Sequence, residues 1–180
     1  QTEISFYRYF DANSVVNLET YKSSIGKSLE VYSLFDKALI KTLYCDVYGY
    51  SEQDFIELLS FRDPSYGDTH VLSALQILKE NGCYDILKLD KLKETIANEM
   101  ARNNDGSSSD LNSEKIVVLY WTGYGNLVEE DWVYSITQSQ SEDGGWGDYV
   151  KSESHRTGLS LLALVYFLEQ NEKQEFYPIT

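Results

Sequence analysis

The residues with the clearest capacity for chemistry are the two histidines, His70 and His155, because the chain has no others. Each follows a segment of the form D-x-x-aromatic-G-D, at residues 63–68 and 143–148. A neutral imidazole can bind a metal ion or accept a proton, and Asp68 adds a carboxylate two residues before His70. The alternative for each histidine is a structural role at the start of a helix.

Other classes of catalytic site lack their motifs. The sequence contains no G-x-S-x-G segment, and the glycine-rich residues 144–147 lack the lysine of a phosphate-binding loop. Carboxylate pairs for glycoside hydrolysis can be chosen freely among 29 Asp and Glu residues, so such a pair is weak evidence. The acidic residues 129–131 are typical of solvated charge in the first turn of a helix.

Composition limits the class of protein. With 180 residues, of which 42% are hydrophobic, the chain is long enough for a single helical domain over residues 1–180 with a buried core. A net charge of −14 disfavours nucleic acid as a partner, and no apolar run approaches the roughly 20 residues of a membrane span. A first residue of Gln rather than Met slightly favours an exported or periplasmic protein, although trimming leaves the same trace.

The two cysteines, Cys45 and Cys83, admit two interpretations. The favoured one is a pair of partly buried free thiols, since free cysteine is usually buried. The alternative is a disulfide, which an oxidising compartment would allow. The absence of a C-x-x-C spacing argues against a zinc ribbon.

Helical periodicity dominates the sequence, because apolar residues recur at steps of three and four. We expect seven or eight helices and hence an all-α protein. The expected features are a helix over 28–43, a helix start at 51–54, a helix capped by Asp68 or Thr69 that ends at 81–82, a helix opened by Asp90, a polar loop over 103–112, an apolar helix from 113 to 123, a helix start at 129–131, and a last helix over 155–169 that buries Leu159, Leu162, Ala163, Tyr166 and Phe167.

The segment from Gln140 to Trp146 has the form Q-x3-G-x-W and lies between two expected helices. It resembles the QW repeat of squalene–hopene-type terpene cyclases, and its extension to Gly147 resembles the GGW-type turns of protein prenyltransferase β subunits. In those families the Gln caps a helix end and the Trp stacks on it. The resemblance implies antiparallel helical hairpins arranged as a small or partial α/α toroid.

The resemblance also implies a candidate metal site. Protein prenyltransferases bind zinc through an Asp, a Cys two residues later and a distant His in a YHT-like helix start, and residues 154–160 are similar to that start. His155 is the matching position, and Asp68 with His70 offers a D-x-H pair where the family has D-x-C. These three residues are therefore the candidate catalytic and zinc-binding residues, although the terpene-cyclase motifs DxDD and DDxxD are missing.

Aromatic residues cluster around the proposed turns and supply candidate ligand contacts. A toroid end lined with aromatics could bind an isoprenoid chain, a sugar or a peptide. The alternative is that these rings pack one hairpin against another. The candidates are Tyr66, Trp121, Trp146 and Tyr149.

The expected function is a non-catalytic ligand-binding or interaction module on a toroid-like scaffold. The alternative is an enzyme, namely a transferase, lyase or hydrolase that acts on an isoprenoid-like or carbohydrate substrate at the concave end of the toroid. Zinc is the candidate cofactor of such an enzyme. A third interpretation is a structural domain of a longer protein. Because a full toroid usually needs more chain, a homo-oligomer or a completing partner is a further expectation.

Overall fold

The computed structural model describes residues 16–27, 33–107, 109–147 and 151–176, with side chains as far as residue 170. Within these ranges the chain forms nine α-helices and no strand, which confirms the all-α prediction. A 3₁₀ turn at Gly125–Leu127 lies between α7 and α8. The helices are α1 (Leu18–Gly26), α2 (Leu34–Leu43), α3 (Cys45–Tyr48), α4 (Glu52–Leu59), α5 (Tyr66–Glu80), α6 (Ile86–Arg102), α7 (Asp110–Trp121), α8 (Glu130–Gln138) and α9 (Ser154–Phe176).

The chain divides into two compact units. The first unit comprises residues 1–63 and 70–93, and the second comprises residues 64–69 and 94–180. Helices α5 and α6 therefore contribute residues to both units. The expectation of a single domain over 1–180 stays a prediction.

In the first unit, two helices begin with the same reciprocal hydrogen bonds. Ser51 and Asp54 form a capping box at the start of α4, which confirms the helix start predicted at 51–54. Ser33 and Asp36 form another at the start of α2. Asp54 also accepts a hydrogen bond of 2.7 Å from Lys41 Nζ. Burial raises the pKa of Asp54, but the hydrogen bonds from Lys41 and Ser51 outweigh it and hold that pKa below its ordinary value.

A disulfide between Cys45 and Cys83 lies in the first unit, with the two Cα atoms 5.9 Å apart. Cys45 begins α3, directly after α2 ends. Gly82, at a φ of +65°, ends α5, and the Cys83 N–H donates to the Leu78 carbonyl. This turn brings the second cysteine within bridging distance of the first, so the free-thiol interpretation is wrong.

We predict that this disulfide contributes strongly to stability. It closes a sequence separation of 38 residues, and loop entropy of that size is worth about 4 kcal/mol in the unfolded state. Urea unfolding of the protein with and without a reductant measures the loss, and Cys45→Ala/Cys83→Ala is the variant that should match the reduced protein. Equal midpoints for the oxidised and reduced forms would contradict the prediction.

In the second unit, α7 is the central helix, because every residue from Asn112 to Leu119 is buried. It begins three residues earlier than predicted, since the Ser109 side chain accepts a hydrogen bond from the Asn112 N–H and caps the helix. It ends at Trp121, two residues before the predicted end at Gly123, whose φ of +91° allows the Tyr124 N–H to reach the Leu119 carbonyl.

Two predicted helix starts are displaced. Helix α5 begins at Tyr66, so Asp68 and Thr69 lie within its first turn rather than capping it, and both are buried. Helix α6 begins at Ile86, because the Asp85 side chain accepts a hydrogen bond from the Lys88 N–H. Asp90 therefore lies inside α6 and pairs with Lys79 at 2.6 Å.

The last helix, α9, is longer than the predicted 155–169 and buries a narrower face. Ser160 and Ala163 are buried, and Ser160 Oγ lies 3.1 Å from Ser113 Oγ of α7. Leu162, expected in the buried face, is 39% exposed. Small residues at the contact let the two helices approach closely, and the long side chains of α9 are then left outside it.

Candidate functional site

Three helix starts in the second unit bring Tyr66, Asp110 and His155 together. The Tyr66 hydroxyl, at the first residue of α5, donates a hydrogen bond of 3.2 Å to Asp110 Oδ2. The other carboxylate oxygen, Oδ1, lies 3.3 Å from His155 Nδ1 in the first turn of α9. Asp110 opens α7, where the helix dipole favours a negative charge. One carboxylate thus joins a phenol and an imidazole.

Further charged groups surround this cluster. Glu114 lies one turn after Asp110 on α7 and accepts a buried hydrogen bond of 2.5 Å from Thr69 Oγ1. Burial raises the pKa of Tyr66. The nearby carboxylates of Asp110 and Glu114 raise this pKa further, whereas the positive charge of Arg156 lowers it. The Arg156 Nη1 donates to the Gly147 carbonyl at 3.0 Å.

The imidazole of the cluster is more exposed than the carboxylate beside it. The side chain of His155 is 72% exposed, whereas that of Asp110 is 27% exposed. The ring of His155 is therefore accessible to a ligand, with the Asp110 carboxylate beside it.

The predicted metal ligands have separate surroundings. His70 belongs to the first unit and stacks on Phe35, with the ring centroids 5.0 Å apart. Asp68 and His155 belong to the second unit, where Asp68 is buried in the first turn of α5. Among the described residues, no group of three or more His, Cys, Asp or Glu side chains could hold a metal ion. Zinc binding by Asp68, His70 and His155 stays a prediction.

Trp146 connects α8 to α9. Its Nε1 donates a hydrogen bond of 2.7 Å to the Ile136 carbonyl near the end of α8, and its N–H donates one of 2.9 Å to Thr157 Oγ1 in α9. Gln140 Nε2 donates to the Gly144 carbonyl and closes the turn. The indole of Trp146 is buried, so in this arrangement its contacts are with the hairpin itself.

The other residues predicted to contact a ligand differ in their surroundings. Tyr66 lies in the polar cluster and is partly exposed. Trp121 ends α7 and is half-buried. Tyr149 lies outside the described residues.

Sequence reasoning missed Asp110 and Glu114. Asp110 was expected in a polar loop, and Glu114 was expected only as part of a helix start. Their D-x-x-x-E spacing places both carboxylates on one face of a helix, and that spacing was the available signal. Nothing in the sequence pairs Asp110 with Tyr66, 44 residues away.

A second surface feature is an apolar stripe on α9, which we call the α9 stripe. Its members are spaced so that they lie on one side of the helix, opposite the buried Ser160 and Ala163. Elsewhere in the described chain, large exposed apolar residues occur singly or as the neighbours Ile86 and Leu87. The α9 stripe consists of Leu161 (50% exposed), Leu162 (39%), Val165 (47%) and Leu168 (60%).

No protein-family model matches the chain, and no curated protein or solved structure matches it either. No helix in the described ranges combines the length and apolar character needed to cross a membrane. The polar cluster of Tyr66, Asp110 and His155 and the α9 stripe are the features that bear on function.

We predict that Asp110 adds to the rise that burial causes in the pKa of Tyr66. Asp110→Asn removes a negative charge and a charge-assisted hydrogen bond beside the phenol, so the pKa of Tyr66 should fall toward its ordinary value. A pH titration of ¹³C-labelled tyrosine by NMR measures this, with Tyr66→Phe to assign the signal. Asp131→Asn, an exposed acid on α8, is the control that should leave the titration unchanged. An unaltered Tyr66 titration in Asp110→Asn would disprove the contact.

Proposed function

We propose that this chain is a non-catalytic interaction module that binds a helical ligand through the α9 stripe. The observation that supports the proposal is the exposure of Leu161, Val165 and Leu168, which are spaced i, i+4 and i+7 on one helix. This spacing is the arrangement of anchors by which one amphipathic helix packs on another. Covering side chains of this size is worth roughly 1 kcal/mol or more for each residue.

The α9 stripe is not required for the core of the second unit. A surface helix of a globular protein has one apolar face, and it buries that face against its neighbours. Helix α9 already packs on α7 through Ser160, and its Tyr166 ring lies 6.0 Å from that of Tyr120. A second apolar face on the opposite side is a feature of interaction surfaces.

We further propose that the scaffold is a small or partial α/α toroid, with a second copy or a completing partner as an open alternative for its closure. The closed turn between Gln140 and Gly144 and the bonds from Trp146 to α8 and α9 support this proposal. The Cys45–Cys83 disulfide supports an oxidising compartment for the protein.

A neutral helical peptide tests the proposed function. The probe is a stapled, monomeric amphipathic helix with leucine at i, i+4 and i+7 and glutamine on its polar face. We expect a Kd of the order of 10–100 µM, typical of a small apolar contact, by isothermal titration calorimetry. Leu161→Ser/Val165→Ser should weaken binding at least about tenfold, since it removes two anchors.

The matched control for this variant is Ile86→Ser/Leu87→Ser, which removes two exposed apolar residues from α6. It should bind the neutral peptide as the unaltered protein does. The same affinity for the unaltered protein and Leu161→Ser/Val165→Ser, or no binding at all, would overturn the proposed function.

A second candidate function is an enzyme that acts on an isoprenoid-like or carbohydrate substrate, and the Asp110–His155 pair favours it. A carboxylate close to an imidazole is a recurrent arrangement in sites of general-base catalysis. Its metal-dependent form would use Asp68, His70 and His155 as zinc ligands. Elemental analysis of the purified protein tests that form: about one zinc per chain, lost in His155→Ala, supports it, and a metal-free protein contradicts it.

A further inference from the structure

We infer that the ligand of the α9 stripe is a basic amphipathic helix, with lysine or arginine on its polar face. The inference rests on the proposed function and adds the charge of the partner to it. The apolar stripe supplies the anchors, and the charge of the unit that contains the stripe selects the partner.

The negative charge of the protein is concentrated in the second unit. Residues 64–69 and 94–180 contain 16 acidic and 5 basic residues, a net charge of −11, whereas the first unit has a net charge of −3. Among the described side chains of the second unit, only two basic residues are exposed, Arg102 and Lys151. Nine acidic residues are exposed there: Glu94, Asp105, Glu129, Glu130, Asp131, Glu142, Asp143, Glu153 and Glu169.

The α9 stripe itself has no charge that would oppose a cationic partner. Residues 157–168 contain no Asp, Glu, Lys or Arg. The α9 stripe is thus an uncharged apolar surface on an acidic unit. The electrostatic field of an exposed carboxylate extends about 8 Å at physiological ionic strength. Such a field raises the association rate of a positively charged ligand and disfavours a negatively charged one.

The dimensions of the stripe match a short helix. Leu161 and Leu168 are seven residues apart, which corresponds to about 11 Å along the helix axis. Two to three turns of a partner helix, with apolar residues at i, i+4 and i+7, are enough to cover them.

Other occupants are disfavoured by the same charge. Two copies of the chain, each with a net charge of −14, repel one another, so self-association is the weaker alternative. Anionic lipid surfaces attract basic segments, so the acidic charge of the second unit disfavours a lipid surface as the occupant.

Three stapled helices of identical apolar face test the inference, with lysine, glutamine or glutamate on the polar face. We expect the lysine peptide to bind about tenfold more tightly than the glutamine peptide at 20 mM salt, and the glutamate peptide to bind more weakly than both. The lysine advantage should shrink at 500 mM salt, where the Debye length is only about 4–5 Å. Neutralising the exposed acid that directly follows the stripe, as Glu169→Gln, should also reduce it.

The outcomes separate the two proposals. Equal binding of the lysine and glutamine peptides, both lost in Leu161→Ser/Val165→Ser, would overturn the charge inference and leave the proposed function in place. Equal binding of the lysine peptide to the unaltered protein and to that variant would show attraction by charge alone and overturn both. Stripe-dependent self-association in analytical ultracentrifugation, without peptide binding, would identify a second copy as the occupant and overturn the inference.

Discussion

The burial of α7 is the constraint on which the second unit depends. Asn112, Glu114 and Lys115 are polar residues on a helix that has no solvent-facing side from residue 112 to residue 119. An unsatisfied buried polar group costs about 1–3 kcal/mol, so each neighbour of α7 must supply a partner. Thr69 donates to Glu114, the Asn103 carbonyl accepts from Lys115, and the Trp132 carbonyl accepts from Asn112. These bonds fix which segments surround α7.

The two candidate surfaces follow from this arrangement. The start of α7 presents Asp110 at the edge of the buried segment, where it meets Tyr66 and His155. Burial lowers the pKa of Lys115, and nearby carboxylates, Asp105 first, oppose that shift, so the buried ammonium depends on the acidic residues around it. One turn further along α7, Ser113 meets Ser160, and this close contact turns the long apolar side chains of α9 outward.

The sequence allowed the prediction of helices where local chemistry decides the structure, as at Ser51 and Asp54, whose capping box is visible in the residue spacing. It failed where tertiary contacts decide. Helical periodicity identified Leu162 and Ala163 as apolar neighbours, but only tertiary packing decides that Ala163 is buried and Leu162 is not. Asp110 pairs with Tyr66 across 44 residues, and Cys45 with Cys83 across 38, distances at which local pattern holds no information.

The polar cluster and the α9 stripe both include residues of α9. This decides which substitutions alter one of these two features without the other. His155 lies in the first turn of α9, and the stripe begins at Leu161 less than two turns later. A larger residue at Ser160 would push α9 away from α7 and disturb the Asp110–His155 contact together with the orientation of the stripe, since the interior is close-packed. Leu161 and Val165 are not linked to the cluster in this way, because their side chains are about half exposed. Substitution at these two positions therefore alters the binding surface while leaving the cluster in place.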